Sequence, residues 1–238
     1  MARLADDWQE QRQQCIDVLC AYLRMPAEDD GDLSEREVRA TIVRTVAAHL
    51  REGAAINWSK HDFDFTGAAL HHAVFRDARF SGKRTIFYKA TFSGEFTNFR
   101  NATFSGEFTI FDRATFSGEQ TRFEGATFCG QQAGFDHATF SARFTIFDEA
   151  TFSAESSTFT EATFSGQQTT FYKATFSGKS TTFTRATFSG RFTIFDEATF
   201  SGGTPADEAT VESSFVGSTV VWGPITPRTL PSTASKAR

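Results

Sequence analysis

Long hydrophobic runs are absent from these 238 residues. No stretch approaches the ~20 apolar residues of a membrane-spanning helix, and the N-terminus lacks the charged-then-apolar layout of a signal peptide. Cysteine is scarce. Cys15, Cys20 and Cys129 are too few and too scattered for a disulfide framework, which fits reduced thiols in a cytosolic protein. Recognisable chemistry is missing as well: there is no glycine-rich phosphate loop, nucleophile elbow or kinase-type motif. His49, His61, His71, His72 and His137 find no Cys or carboxylate cluster to complete a metal-ligand set, and adjacent His71 and His72 are expected to face different ways. The expectation is therefore no catalytic residue, no cofactor, no metal and no enzyme. A net charge of −5 argues against a polyanion partner, so direct nucleic-acid binding is not expected either.

What the chain does have is phenylalanine, 29 of them against 3 Tyr and 3 Trp. One aromatic used this heavily suggests a single packing solution reused many times. Three regions follow. Residues 1–53 read as a helical hairpin. Leu4, Trp8, Cys15, Leu19, Tyr22 and Leu23 recur at helical steps before Pro26. An acidic loop, AEDDGDL, then precedes a capping-box start at Ser34 and Glu37, and Val38, Ile42, Val43, Val46 and Leu50 give the second stripe. Residues 54–202 carry the repeat. Residues 203–238 lose it, with TVVWGP as a final strand and a disordered tail expected beyond Pro224.

Within the repeat region, Ala recurs every twelve residues from Ala78 to Ala198, with Phe two positions later from Phe80 to Phe200. A second Phe falls seven residues after the first, from Phe87 to Phe195. Alternation along a strand sends the small residue and Phe to one side, and Thr and Ser to the other. In a wound chain, equivalent positions stack about 4.8 Å apart. Phe80, Phe87, Phe92, Phe99, Phe104, Phe111, Phe116 and Phe123 are thereby expected to open aromatic core columns, with glycine where the chain turns its corners. A repeat that cannot bury its apolar face alone must stack on its neighbours, which makes this a solenoid. Coils of 24 residues, two repeats per turn, fill a square section best, but a flattened 12-residue coil remains an alternative. Near-copies do not decide between them: FYKATFSG recurs after 84 residues and FDEATFS after 48.

The run AALHH-AVFRD-ARFSG resembles pentapeptide-repeat proteins, whose five-residue units hold a small residue first and Leu or Phe third. Residues 62–82 fit that pattern unbroken; from residue 83 two residues are inserted into every second unit. The resemblance implies a mainly β protein, a right-handed quadrilateral β-helix with an N-terminal α-helical hairpin cap. Segments ARLADDWQEQRQQCIDVLCAYLRMP, SEREVRATIVRTVAAHLR and WSKHDFDFTGA further resemble an actinobacterial group of these proteins, in many of which a membrane-spanning region precedes LADDW. Met1 is then either a true start of a cytoplasmic form or an internal methionine of a longer, membrane-associated protein.

Function is fainter. The resemblance brings no catalytic residues and leaves the role unassigned, so the leading expectation is a non-catalytic protein–protein interaction scaffold with an unidentified protein partner and, compatibly, a homodimer. Phe108 with Ile110, Phe144 with Ile146, and Phe192 with Ile194 flank Thr109, Thr145 and Thr193; if those threonines point inward, the apolar pairs point outward as a partner patch or as corner covers. A second expectation is DNA mimicry of the kind by which some pentapeptide-repeat proteins protect DNA gyrase from quinolones. It needs a dense acidic stripe, whereas residues 87–202 hold 12 acidic and 9 basic residues, with Arg113, Arg143, Lys173 and Arg191 interrupting. A third, weaker still, is ice binding by the Thr arrays from Thr91 to Thr199, whose outward neighbour is Ser and not the more usual Thr.

Overall fold

The computed structural model describes residues 1–26, 33–201, 214–215 and 219–222. The acidic connection at 27–32 and the tail expected beyond Pro224 lie outside them. Three α-helices come first: α1 (Ala2–Asp7), α2 (Arg12–Arg24), with a short 3-10 turn Gln9–Gln11 between, and α3 (Leu33–His49). Short strands follow from Phe63, and every strand pair between them is parallel.

Those strands form four sheets, visited in fixed rotation, so the chain winds as a four-sided solenoid of about six turns. Numbered in the order the chain meets them, the first face runs from Phe63–Asp64 to Ser180–Thr182 and the second from Ala69–His71 to Ser214–Phe215. The third runs from Phe96–Asn98 to Thr219–Trp222, and the fourth from Arg79–Phe80 to Thr199–Phe200. The first and third faces are opposite each other, as are the second and fourth.

Register settles the coil length. Thr103 pairs with Thr127 and Thr115 with Thr139, a step of 24, whereas Phe63 pairs with Thr85, a step of 22. The shorter first turn spans a stretch with only one of the two-residue insertions. Each full turn sends eight side chains inward: Phe87, Ala90, Phe92, Thr97, Phe99, Ala102, Phe104 and Thr109 in one instance, all buried. Phenylalanines of successive coils stack face to face in four columns; from Phe80 onward their centroids lie between 4.6 Å (Phe92–Phe116) and 5.0 Å (Phe99–Phe123). Neighbouring columns meet edge to face, as in Phe111–Phe123 at 90°. Both arrangements suit the ring quadrupole.

Two kinds of corner join the faces. At Phe87-Tyr88-Lys89-Ala90 the Ala90 amide donates to the Phe87 carbonyl at 3.0 Å, and Lys89 has φ 56°, the geometry of a type II turn. The residue before alanine takes this left-handed conformation in repeat after repeat, yet only Gly125 among the 12-residue repeats is glycine there. The glycines of SG corners have a different reason from the conformational one expected. Gly106, Gly118 and Gly130 have ordinary φ, but a Cβ on Gly118 would sit 2.1 Å from the Gly94 carbonyl oxygen. Space, not backbone freedom, selects glycine at these sites.

The N-terminal helices close the first coil. Gln13 donates from Nε2 to the Asp62 carbonyl at 2.9 Å and accepts from the Asp62 amide at 2.9 Å, so one side-chain amide stands in for the peptide of a missing coil. Arg24 pairs with Asp64. Trp58 is fully buried, stacks on His49 with centroids 3.9 Å apart and donates from Nε1 to Asp6. Ile16, Leu23, Val46 and Leu50 then continue the solenoid core without a break.

The hairpin differs from its sequence reading in detail. Its first segment bends at Trp8, so Leu4 and Trp8 are exposed, and Ala5, Ile16 and Cys20 are buried instead. Val38 is exposed too. Helix α3 begins at Leu33, which puts Ser34 inside the first turn, while Glu37 pairs with Arg44 and does not close a capping box.

Candidate interaction site

Outward side chains follow from the same alternation. Thr109, Thr145 and Thr193 are buried, and the apolar residues beside them turn outward, half-buried. The pairs do not form one patch. Phe108–Ile110 belongs to the first face, whereas Phe144–Ile146 and Phe192–Ile194 share the third, on the opposite side. A 24-residue coil explains this: 36 residues separate Phe108 from Phe144, one and a half turns, while 48 separate Phe144 from Phe192.

The third face holds an ordered row. Phe96, Gln120, Phe144, Gln168 and Phe192 are successive partners across its strands. Phenylalanine thus recurs every second coil, about 9.6 Å apart at two strand spacings. Each ring carries a guanidinium at cation–π distance: Arg122 at 5.9 Å from Phe96, Arg143 at 5.1 Å from Phe144 and Arg191 at 5.0 Å from Phe192. Phe96, 40% exposed, went unread in the sequence because its neighbour is Asn98 and not Ile. Its 48-residue interval from Phe144 was the available signal. Phe80, Phe87, Phe92, Phe99, Phe104, Phe111, Phe116 and Phe123 lie inside, fully buried, and present nothing to a partner.

Thr and Ser rows cover the second and fourth faces. Their hydroxyls are partly committed to the coil below: Ser117 Oγ donates to the Phe92 carbonyl at 3.3 Å, and Ser141 to that of Phe116 at 3.3 Å. Cys129 makes the equivalent contact from the serine position, with its thiol 3.7 Å from the Phe104 carbonyl. The array is thus bound into the solenoid, and the ice-binding reading gains no support from it.

Charge is organised by coil. Ion pairs join residues 24 apart: Lys83 with Glu107, Arg143 with Glu119, Lys179 with Glu155, Arg185 with Glu161, and Lys173 with Glu197. Each corner row therefore mixes signs along the axis. Inside the next shell, Asp112, Asp136 and Asp148 accept backbone amides from the following coil, the Asp136, Thr160 and Tyr172 N–H groups respectively. Burial pushes the Asp112 and Asp148 carboxyls above the ordinary aspartate range.

The histidines scatter. His61 is half-buried and its pKa is lowered, chiefly by desolvation, while His137 faces Glu161. His71 and His72 do not diverge as strand alternation predicts. The strand ends at His71, and His72 turns left-handed (φ 51°), which brings the rings edge to face at 4.3 Å. Among the described residues no group of three or more His, Cys, Asp or Glu side chains is gathered as metal ligands are, and no helix is long and apolar enough to cross a membrane. Burial raises the Cys20 thiol to about 12. No protein-family model, curated protein or solved structure matches the chain.

Proposed function

We propose that this chain is a non-catalytic interaction scaffold built on the pentapeptide-repeat plan, and that its third face is the surface that meets a protein partner. The observation that carries the reading is the row Phe96, Phe144 and Phe192, half-exposed rings at a two-coil interval, each paired with an arginine. Aromatic and arginine side chains are the residues that dominate protein interfaces. The closed aromatic core holds them at fixed spacing, so little ordering entropy is lost on binding.

Replacing Phe144, Ile146, Phe192 and Ile194 together by Thr tests this. Threonine suits an outward strand position, so the melting transition is expected to stay cooperative. Partner capture from cell extract, read by mass spectrometry against the intact chain, is expected to fall by about tenfold. Unchanged capture by a folded variant would sink the assignment. Gyrase mimicry finds less support: cations neutralise the acidic rows at one-coil intervals, where a phosphate-like stripe must be continuous.

A further inference from the structure

One concave surface lies away from the third-face row. Helix α3 and the first coil enclose a cleft of about 850 Å³, with Ala40, Val43 and Ala47 along one wall and His71, His72 and Val74 along the other. Three arginines of its lining, Arg36, Arg44 and Arg51, face a single acid, Glu37, so the lining is net positive on a chain whose net charge is −5. Glu37 is itself bound to Arg44, and that contact holds its carboxyl below the usual range. Leu33 and Val74 add exposed apolar surface at the rims, 76% and 38% accessible.

From these we infer that the cleft is a docking groove for an acidic, amphipathic helical segment of a partner protein. This deepens the scaffold reading by giving it a second surface, and it rests on that reading. Spacing chooses the occupant. Arg36, Arg44 and Arg51 are eight and seven residues apart, roughly 12 and 10 Å along a helix. A ligand with one anionic head would use one of them, whereas a helix with an acid every heptad meets all three. Apolar residues on the same face would lie against Leu33, Ala40 and Val74. A second copy of α3 is disfavoured because it would bring the same arginines against each other. Nucleic acid is disfavoured because its phosphate backbone has nothing to place on the apolar wall.

The test uses the full chain and two labelled synthetic helices of about three heptads, with Leu at the core positions and either Glu or Lys beside them. Binding is followed by fluorescence anisotropy at low and high salt, about 50 and 300 mM. The Glu helix is expected to bind, to weaken at high salt, and to lose about tenfold or more in affinity with Arg44→Glu plus Arg51→Glu, while the Lys helix binds only that variant. Both arginines are exposed, and circular dichroism verifies the fold; Arg44→Gln with Arg51→Gln serves if charge reversal perturbs it. No binding of the Glu helix, equal binding of both helices, or binding indifferent to the substitutions overturns the proposal. So does displacement of the Glu helix by an alkyl phosphate or by duplex DNA at lower concentration, which would assign the cleft to another ligand. The third-face Thr variant separates the two readings. Its loss of partner capture with no Glu-helix binding leaves the scaffold standing without this groove, and the converse leaves the groove without the third face.

Discussion

At the scale of single residues, this protein places its side chains against their usual preferences in two instructive ways. The left-handed turn position holds Lys89, Asn101, Arg113, Glu149 and Lys173, although a non-glycine residue there costs roughly 1–2 kcal/mol. The turn bond to the preceding phenylalanine carbonyl and the amide bond to the next coil, such as Lys89 to Asp112, hold the conformation in place. The second case lies inside. Thr97, Thr121 and Thr145 are buried on the third face with hydroxyls that have no hydrogen-bond partner. An unmet buried hydroxyl costs about 1–3 kcal/mol, so Thr121→Val is expected to raise stability by about 1 kcal/mol or more, seen as a higher urea midpoint at unchanged slope. A lower midpoint would mean that the hydroxyl is satisfied. Asp112 gives a pH signature. Its folded-state pKa is raised, so the native state holds the proton more tightly than the unfolded chain, and stability falls as pH rises from the ordinary aspartate value through the raised one. Asp112→Asn keeps an acceptor for the Asp136 amide without the buried charge. Its melting midpoint is expected to exceed the parent's near pH 7.5 and to lose that advantage toward pH 4. A gain that persists at low pH would show that burial of charge is not the cause.

The coil is the element that matters here, and each coil depends on its neighbours. Two- and three-residue strands would be worthless alone, but the ladder continues through the corners, as the Ser117 amide bonded to the Phe92 carbonyl shows. An end coil therefore exposes unmet backbone, a template for another chain. Helix α2 meets that need with side chains, Gln13 most directly. Gln13→Ala removes two bonds from the first edge and is expected to cost about 1–2 kcal/mol, concentrated at the cap. Hydrogen exchange checks this. Amides near Asp62 and Arg84 should exchange faster, while those of Thr127 and Thr139 stay protected. Uniform acceleration along the solenoid would mean that cap and solenoid unfold as one unit.

For the molecule as a whole, the four-sided winding decides what any partner can see. It hides nearly all phenylalanines of the repeat and shows a few, and it sorts the outward ones by coil parity. Phe108 and Phe144 look equivalent in sequence, yet a partner bound to one face cannot reach the other. The same winding brings opposite charges together one coil apart, which gives the rod mixed corner rows. Two surfaces then remain with a distinct chemistry: the aromatic–arginine row of the third face and the basic cleft beneath α3.

The sequence by itself determined the solenoid, the columns of Phe from Phe80 to Phe200, and the helical segment before them, because a strict period in small and large apolar residues admits one way to bury them. It did not decide between 12 and 24 residues per turn, since half-coils carry nearly the same residues and only strand register tells them apart. Tertiary structure also decided which outward pairs share a face, why glycine holds the SG corners, and how His71 and His72 come to meet. Each of these depends on what lies one coil away, a distance of 24 residues along the chain and one strand spacing, about 4.8 Å, in space.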